Sequence, residues 1–196
     1  MDTSKTDKSP VLPPDHRWTF EKRKGIYESD VTALVRRMLE DEALREAMAD
    51  GVPVLGVVHV PALQWTYAGQ ARNGAQVEKD GNIRPITTAS WPSVVQPLRV
   101  VASRSHRGDK LDDWLAFAQQ RHAGLELVSM GSSLKICLVA EGKADIYPRL
   151  ALTSEWDTAA AQAVLEAAGG TLVDTSAQVY RYNRKEDLLN PFFFNR

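Results

Sequence analysis

The feature that most constrains this chain is a repeated change of period across residues 98–174 of its 196 residues. LRVVAS (98–103) is a short run of β-branched, buried-type residues. Gly108–His122 follows, with Leu111, Trp114, Leu115 and Ala118 at helical spacing. GLELVSM (124–130) returns to strand composition. GSSLKICLVAEGKADIYPRL then reads as a turn, a helix from about Ser132 to Glu141, and a strand from Ala144 that stops at Pro148. WDTAAAQAVLEAAGG is a helix opening on Trp156-Asp157 and stopping at Gly169-Gly170, ahead of a strand over Thr171–Asp174. Side chains repeat every second residue in a strand and every third or fourth in a helix, so this alternation predicts an α/β layered domain.

The rest of the chain is less regular. VPVLGVVHVPAL (52–63) reads as a strand, Gln64–Gly69 as its partner, and Asn73-Gly74 as a turn. Residues 76–96 read as a loop with short strands, and the tail after Asp174 as a loop with aromatic anchors. Ahead of this domain (51–196) the spacing predicts an amphipathic helix in segment 28–50. Ser29 is its cap, Val31, Leu34, Val35, Met38, Leu39 and Leu44 form its apolar face, and Asp50-Gly51 closes it. Residues 1–27, with three prolines and many charges in their first 25, read as an irregular arm. A net charge of −1 gives no basic footprint for a nucleic-acid polymer. No apolar run reaches the ~18 residues of a membrane span, and Cys137 is the single cysteine, so no intrachain disulfide forms. The expected setting is soluble and cytoplasmic, with peripheral association at the inner membrane compatible with it.

Several stretches carry residues suited to phosphate chemistry. Asp157 reads either as a helix-start carboxylate, favoured by unpaired N–H groups and the helix dipole, or as a metal-site carboxylate that Trp156 shields. Gly131-Ser132-Ser133 reads as a plain N-cap or as an anion cradle. Lys135 lies in an otherwise apolar helix, so its ammonium calls for a carboxylate or phosphate partner. Ser103-Arg104-Ser105-His106 follows a strand end, where α/β sheets place ligand contacts, and Arg149 also lies past a strand. Cys137 reads as a small core residue and His59 as a core or hairpin histidine. Cations and donors beside one carboxylate suit metal-assisted phosphate chemistry.

The run SxGSSLKxCLVAEGxADxYPR (129–149), followed by WDTAAAQAVLEAAGG, resembles the 3'(2'),5'-bisphosphate nucleotidases of the CysQ type, within the metal-dependent inositol monophosphatase superfamily. VVASRSH, GVPVLGVVHVPAL and YNRKEDLLNP extend the likeness over about residues 50–196. The resemblance implies a layered α-β-α-β-α sandwich, here incomplete and mainly its C-terminal half. It implies removal of a phosphate from 3'-phosphoadenosine 5'-phosphate, a by-product of sulfur assimilation, with Mg²⁺ as cofactor. Asp157 corresponds to a metal ligand, and His106, Ser132, Ser133, Lys135 and Arg149 to substrate contacts.

The family's Glu-Glu pair and Asp-Pro-Leu-Asp-Gly-Thr stretch have no counterpart in this sequence. SPVLPPD (9–15) resembles only the start of the family's early SPVTxAD motif. Asp15, Glu21, Glu28 and Asp30 are the acids available in their place, with no spacing rule behind them. The expectation is a nucleotidase-family chain with a retained nucleotide face and impaired catalysis. Two alternatives stand beside it: a catalytically dead nucleotide-binding or homo-oligomeric interaction module, and an inositol monophosphatase-like phosphatase.

Overall fold

A computed structural model describes residues 50–102 and 108–196. The arm, the 29–49 segment, Ser103–His106 and the acids Asp15, Glu21, Glu28 and Asp30 lie outside the described residues.

Four strands form an antiparallel meander: β1 (Leu55–Val60), β2 (Trp65–Gln70), β3 (Gly74–Lys79) and β4 (Asn82–Ile86). The β3–β4 connection is a two-residue turn in which Asp80 (φ 52°) and Gly81 (φ 75°) are both left-handed. Asp-Gly satisfies that geometry at little steric cost, and it is the signal that joins short strands expected within 76–96 into a regular hairpin. β5 (Leu98–Ala102) and β6 (Leu125–Ser129) pair in parallel across the helix α1 (Asp109–Gln119). β7 (Tyr147–Arg149), β9 (Phe193–Asn195) and β8 (Leu172–Asp174) form an antiparallel sheet in that order. A parallel bridge from Val100 to Ile146 joins β5 to the segment entering β7, so the two small sheets act as one layer.

Between the layers lie α2 (Leu134–Ala140) and α3 (Ala159–Ala167). All seven residues of α2 are buried, and Tyr67, Val77, Leu134, Ile136, Leu165, Leu172 and Phe193 share one core with it. On the far face of the second layer, Ala118, Trp114 and Leu115 of α1 pack on Leu98, Val100 and Ile146. The described order is therefore sheet, helix pair, sheet, helix, the α/β layering expected from the alternation of periods.

Glycines set how closely α3 approaches the first sheet. A Cβ built on Gly56 would lie 1.9 Å from the Ala160 carbonyl oxygen, and one on Gly69 2.5 Å from Val164 Cα. Since Gly56 and Gly69 are cross-strand partners, the alanine-rich helix lies directly on a bare patch of backbone.

Three sequence-based expectations change. The tail is not only loop: Phe193–Asn195 is the central strand of its sheet, because Phe193 completes an aromatic cluster with Tyr147 and Tyr180. The strand expected from Ala144 begins at Tyr147 and includes Pro148, and Arg149 is its last residue. Trp156-Asp157 belongs to a separate 3-10 turn (Glu155–Asp157), and α3 begins after Thr158. His59 is exposed, with Nδ1 3.0 Å from Thr66 Oγ1 across the hairpin, so it is a hairpin residue and not a core one. Cys137 is fully buried as expected, and burial pushes its thiol up to about 12. Among the described residues no helix is long and apolar enough to cross a membrane.

Candidate functional site

A cavity of about 260 Å³ opens where α2, β7 and the turn before α3 meet. Gly131, Ser132, Ser133, Lys135, Arg149 and Asp157 line it, together with Tyr147, Thr153, Thr158 and Phe193. Five of the six expected site residues are thus brought together: Ser132, Ser133, Lys135, Arg149 and Asp157. The sixth, His106, lies outside the described residues.

Each wall has a local cause. Ser132 adopts φ 52°, a conformation uncommon for a residue with a side chain, and this bends the chain between β6 and α2. The N–H groups of Ser132 and Ser133 have no backbone acceptor among the described residues. Ser133 makes no side-chain cap; its hydroxyl donates to the Asp157 carbonyl at 2.9 Å and ties the cradle to the opposite wall. That hydroxyl is therefore committed to a structural bond, and Ser132 is the freer of the two serines.

Lys135 is 5% exposed, and no carboxylate among the described residues lies within ion-pair distance of it. Its ammonium sits 5.2 Å from the centre of the Tyr147 ring, a cation–π contact that offsets only part of the desolvation. Burial first, and then the nearby Arg149 guanidinium, lower its pKa to about 8. Among the described residues, the partner that the apolar helix demands is thus absent. Arg149 donates Nη2–H to the Leu152 carbonyl at 2.9 Å, while its buried Nε has no acceptor. Two cations and one carboxylate line the cavity, so it carries a net positive charge that favours an anion.

Asp157 performs the structural role open to it: Oδ2 accepts the Ser154 N–H at 2.9 Å, which closes the 3-10 turn. Oδ1 has no donor among the described residues. Trp156 is 70% exposed and does not shield the carboxylate, contrary to the expectation placed on it. No group of three or more His, Cys, Asp or Glu side chains is placed to hold a metal among the described residues. The one carboxylate that the described residues place here, flanked by two cations, does not by itself supply the several oxygen ligands that a divalent ion takes.

Sequence reasoning passed over the scaffold beneath Asp157. Asn190 Nδ2 donates to the Ser154 carbonyl at 2.8 Å and lies 3.0 Å from Thr158 Oγ1, and the Tyr182 hydroxyl donates to buried Gln162 at 2.6 Å. Gln162 in turn donates to Glu166 at 2.7 Å. This chain of polar contacts fastens the tail to the start of α3. A polar residue in the alanine-rich face of that helix, Gln162, was the available signal.

Comparison with known proteins agrees with this layout. Residues 47–191 match the model of the inositol monophosphatase family. The 3'(2'),5'-bisphosphate nucleotidase CysQ of Salmonella typhimurium is 42% identical over 183 residues, covering 93% of this chain and 65% of that protein. CysQ of Haemophilus influenzae is 31% identical over 193 residues, covering 94% of this chain and 70% of that protein. The crystal structure of CysQ from Bacteroides thetaiotaomicron superposes with a TM-score of 0.67 at 39% identity, over 74% of this chain and 58% of that one. An inositol monophosphatase from Anabaena shares the fold at a TM-score of 0.57 and 23% identity, over 74% of this chain and 56% of that one. The chain thus spans 65% of the length of the Salmonella typhimurium CysQ and 54% of that of the Escherichia coli CysQ. With its layers and the matched stretch in agreement, the chain belongs to the inositol monophosphatase family, on the CysQ type, and represents the C-terminal portion of that fold.

Proposed function

We propose that this chain binds an adenosine bisphosphate, 3'-phosphoadenosine 5'-phosphate, in the cavity between α2, β7 and the turn before α3, and hydrolyses it poorly. One observation carries the binding half: Lys135 and Arg149 converge on the cavity and, among the described residues, no carboxylate pairs with Lys135 and no acceptor meets the Arg149 Nε. Ser132 and the Ser132 and Ser133 amides, which have no backbone acceptor among the described residues, add neutral donors, and a phosphate dianion satisfies both cations at once. His106, outside the described residues, is added to this reading by the family resemblance alone. The CysQ relatives, which are 3'(2'),5'-bisphosphate nucleotidases, favour a nucleotide over an inositol phosphate.

The catalytic half of the reading rests on the donor set. A bound divalent ion such as Mg²⁺ would supply phosphate polarisation and a more acidic water. Asp157 offers one oxygen to such an ion, and its other oxygen already closes the Ser154 turn. Further ligands would have to come from outside the described residues, where Asp15, Glu21, Glu28 and Asp30 lie. The setting we assign is cytoplasmic.

Calorimetry with 3'-phosphoadenosine 5'-phosphate, run beside a phosphate-release assay with Mg²⁺, tests both halves. Binding with little release is the expected outcome. Failure to bind overturns the proposal, whereas turnover that disappears in Asp157→Ala overturns the impaired catalysis alone. Preference for an inositol monophosphate over the nucleotide would move the assignment to the other branch of the family.

A further inference from the structure

The loop joining α2 to β7 is the shortest covalent path between the two cations of the cavity, and both of its ends are clamped. Glu141, at the C-terminal end of α2, has a side chain with 0% exposure. It accepts the Tyr67 hydroxyl from β2 at 2.7 Å, the Lys79 ammonium from β3 at 2.7 Å, and the Arg84 guanidinium from β4. Asp145 is held from the other layer. Its Oδ2 accepts the backbone N–H of Arg99 in β5 at 2.8 Å, its Oδ1 accepts Arg99 Nη2, and Arg99 Nη1 donates to the Gly142 carbonyl at 2.8 Å. One three-residue link, Gly142–Ala144, is therefore fixed to the first sheet at one end and to the second layer at the other.

From these contacts we infer that Glu141 and Asp145 are positioning residues for the anion cavity: the bracket sets where Lys135 and Arg149 stand relative to each other. The inference rests on the reading of that cavity as an anion site. Lys135 precedes Glu141 by six residues on α2, about 9 Å along a helix axis. Arg149 follows Asp145 by four residues, about 13 Å of extended chain. A short, continuous, fully buried helix and a strand transmit a shift at the bracket to the cations with little slack, because close-packed interiors yield in discrete steps. If either clamp opens, one cation moves against its own sheet and the pair no longer addresses one phosphate.

A clamp that served only to hold the layers together would change stability and nothing at the cavity. The test therefore reads the cavity directly in the full chain: affinity for 3'-phosphoadenosine 5'-phosphate by calorimetry, and the Lys135 titration by ¹³C NMR of ε-labelled lysine, assigned with Lys135→Arg. Glu141→Gln and Asp145→Asn are each expected to weaken binding about tenfold, in the range of changes that act through neighbouring groups. The Lys135 midpoint should rise from about 8 toward the ordinary lysine range, as its burial beside Arg149 is relaxed. Folded variants with lower melting temperatures but unchanged affinity and unchanged midpoint overturn the inference. Should Glu141→Gln fail to fold, Tyr67→Phe and Arg84→Gln each remove one donor and are judged by the same two readouts. If the native chain takes up no nucleotide, the proposed function fails, while the Lys135 midpoint still decides the bracket by itself.

Discussion

The two ends of α2 treat charge in opposite ways. At its C-terminal end the buried carboxylate of Glu141 meets two cations and a tyrosine hydroxyl, and both of its oxygens are taken by donors of the protein. At its N-terminal end the ammonium of Lys135 is almost as deeply placed yet meets an aromatic ring, a second cation and an open cavity. Burial alone does not separate a structural charge from a functional one. Pairing does: desolvation that the protein itself has compensated belongs to the fold, and desolvation left uncompensated points to something the protein binds.

Four outcomes would break or sharpen that contrast. The largest concerns the paired end. Glu141→Ala leaves the Tyr67 hydroxyl, Lys79 and Arg84 without their acceptor, and should cost about 3 kcal/mol or more of stability, read from urea midpoints. A loss below about 1 kcal/mol would mean that the cluster is no more than a surface ion pair. At the unpaired end, Lys135→Met should weaken nucleotide binding about 10- to 100-fold, as expected for losing a charged hydrogen-bond donor. The same change should leave the melting temperature unaltered or raised, since a buried, unpaired ammonium is replaced by an apolar chain of similar length. A large stability loss instead would place Lys135 on the structural side of the comparison.

The third outcome is a pH dependence with two signs. Folding lowers the Lys135 pKa to about 8, so between pH 8 and the ordinary lysine range the unfolded chain holds the extra proton. Stability of the ligand-free chain should therefore gain a contribution as pH rises through that window. Nucleotide affinity should fall over the same window, because the binding form is the protonated one. Urea midpoints and calorimetry across pH 7–10.5, with Lys135→Met flattening both trends, check it. The smallest effect is at Asp157. The amide oxygen of Asp157→Asn can keep the bond to the Ser154 N–H, so stability should change by less than about 1 kcal/mol. Anion affinity without added metal should rise modestly once the carboxylate charge is gone. A fall in that affinity would show that Asp157 helps to hold the ligand directly.

Legibility in the sequence followed the range of the forces involved. Helices α1, α2 and α3 and strands β1, β2, β5, β6 and β8 were readable because each writes its own period into a short window. The strand β9 was not, since FFFNR becomes a strand only when Phe193 finds Tyr147 and Tyr180 and its backbone finds β7 and β8. The close approach of α3 to the first sheet was half-written: the alanines could be read, but not that Gly56 and Gly69 face them as cross-strand partners. At the site, Lys135 stood out as a charge in an apolar helix. What the residues could not say is which of the two expected partners, carboxylate or phosphate, it would have, because that depends on which distant side chains reach it; none of the described carboxylates does.

Composition and period, then, determined that the chain builds alternating helices and strands, and the GSSLK, YPR and WD stretches determined its family resemblance. Those are properties of neighbours along the chain. The tertiary structure alone decided that Ser133 binds the Asp157 carbonyl, that Asp157 spends one oxygen on the Ser154 turn, and that Glu141 and Asp145 fasten one loop to two layers. The physical reason is the same in each case. Hydrogen bonds and ion pairs act over about 3 Å, and only folding brings groups tens of residues apart within that reach.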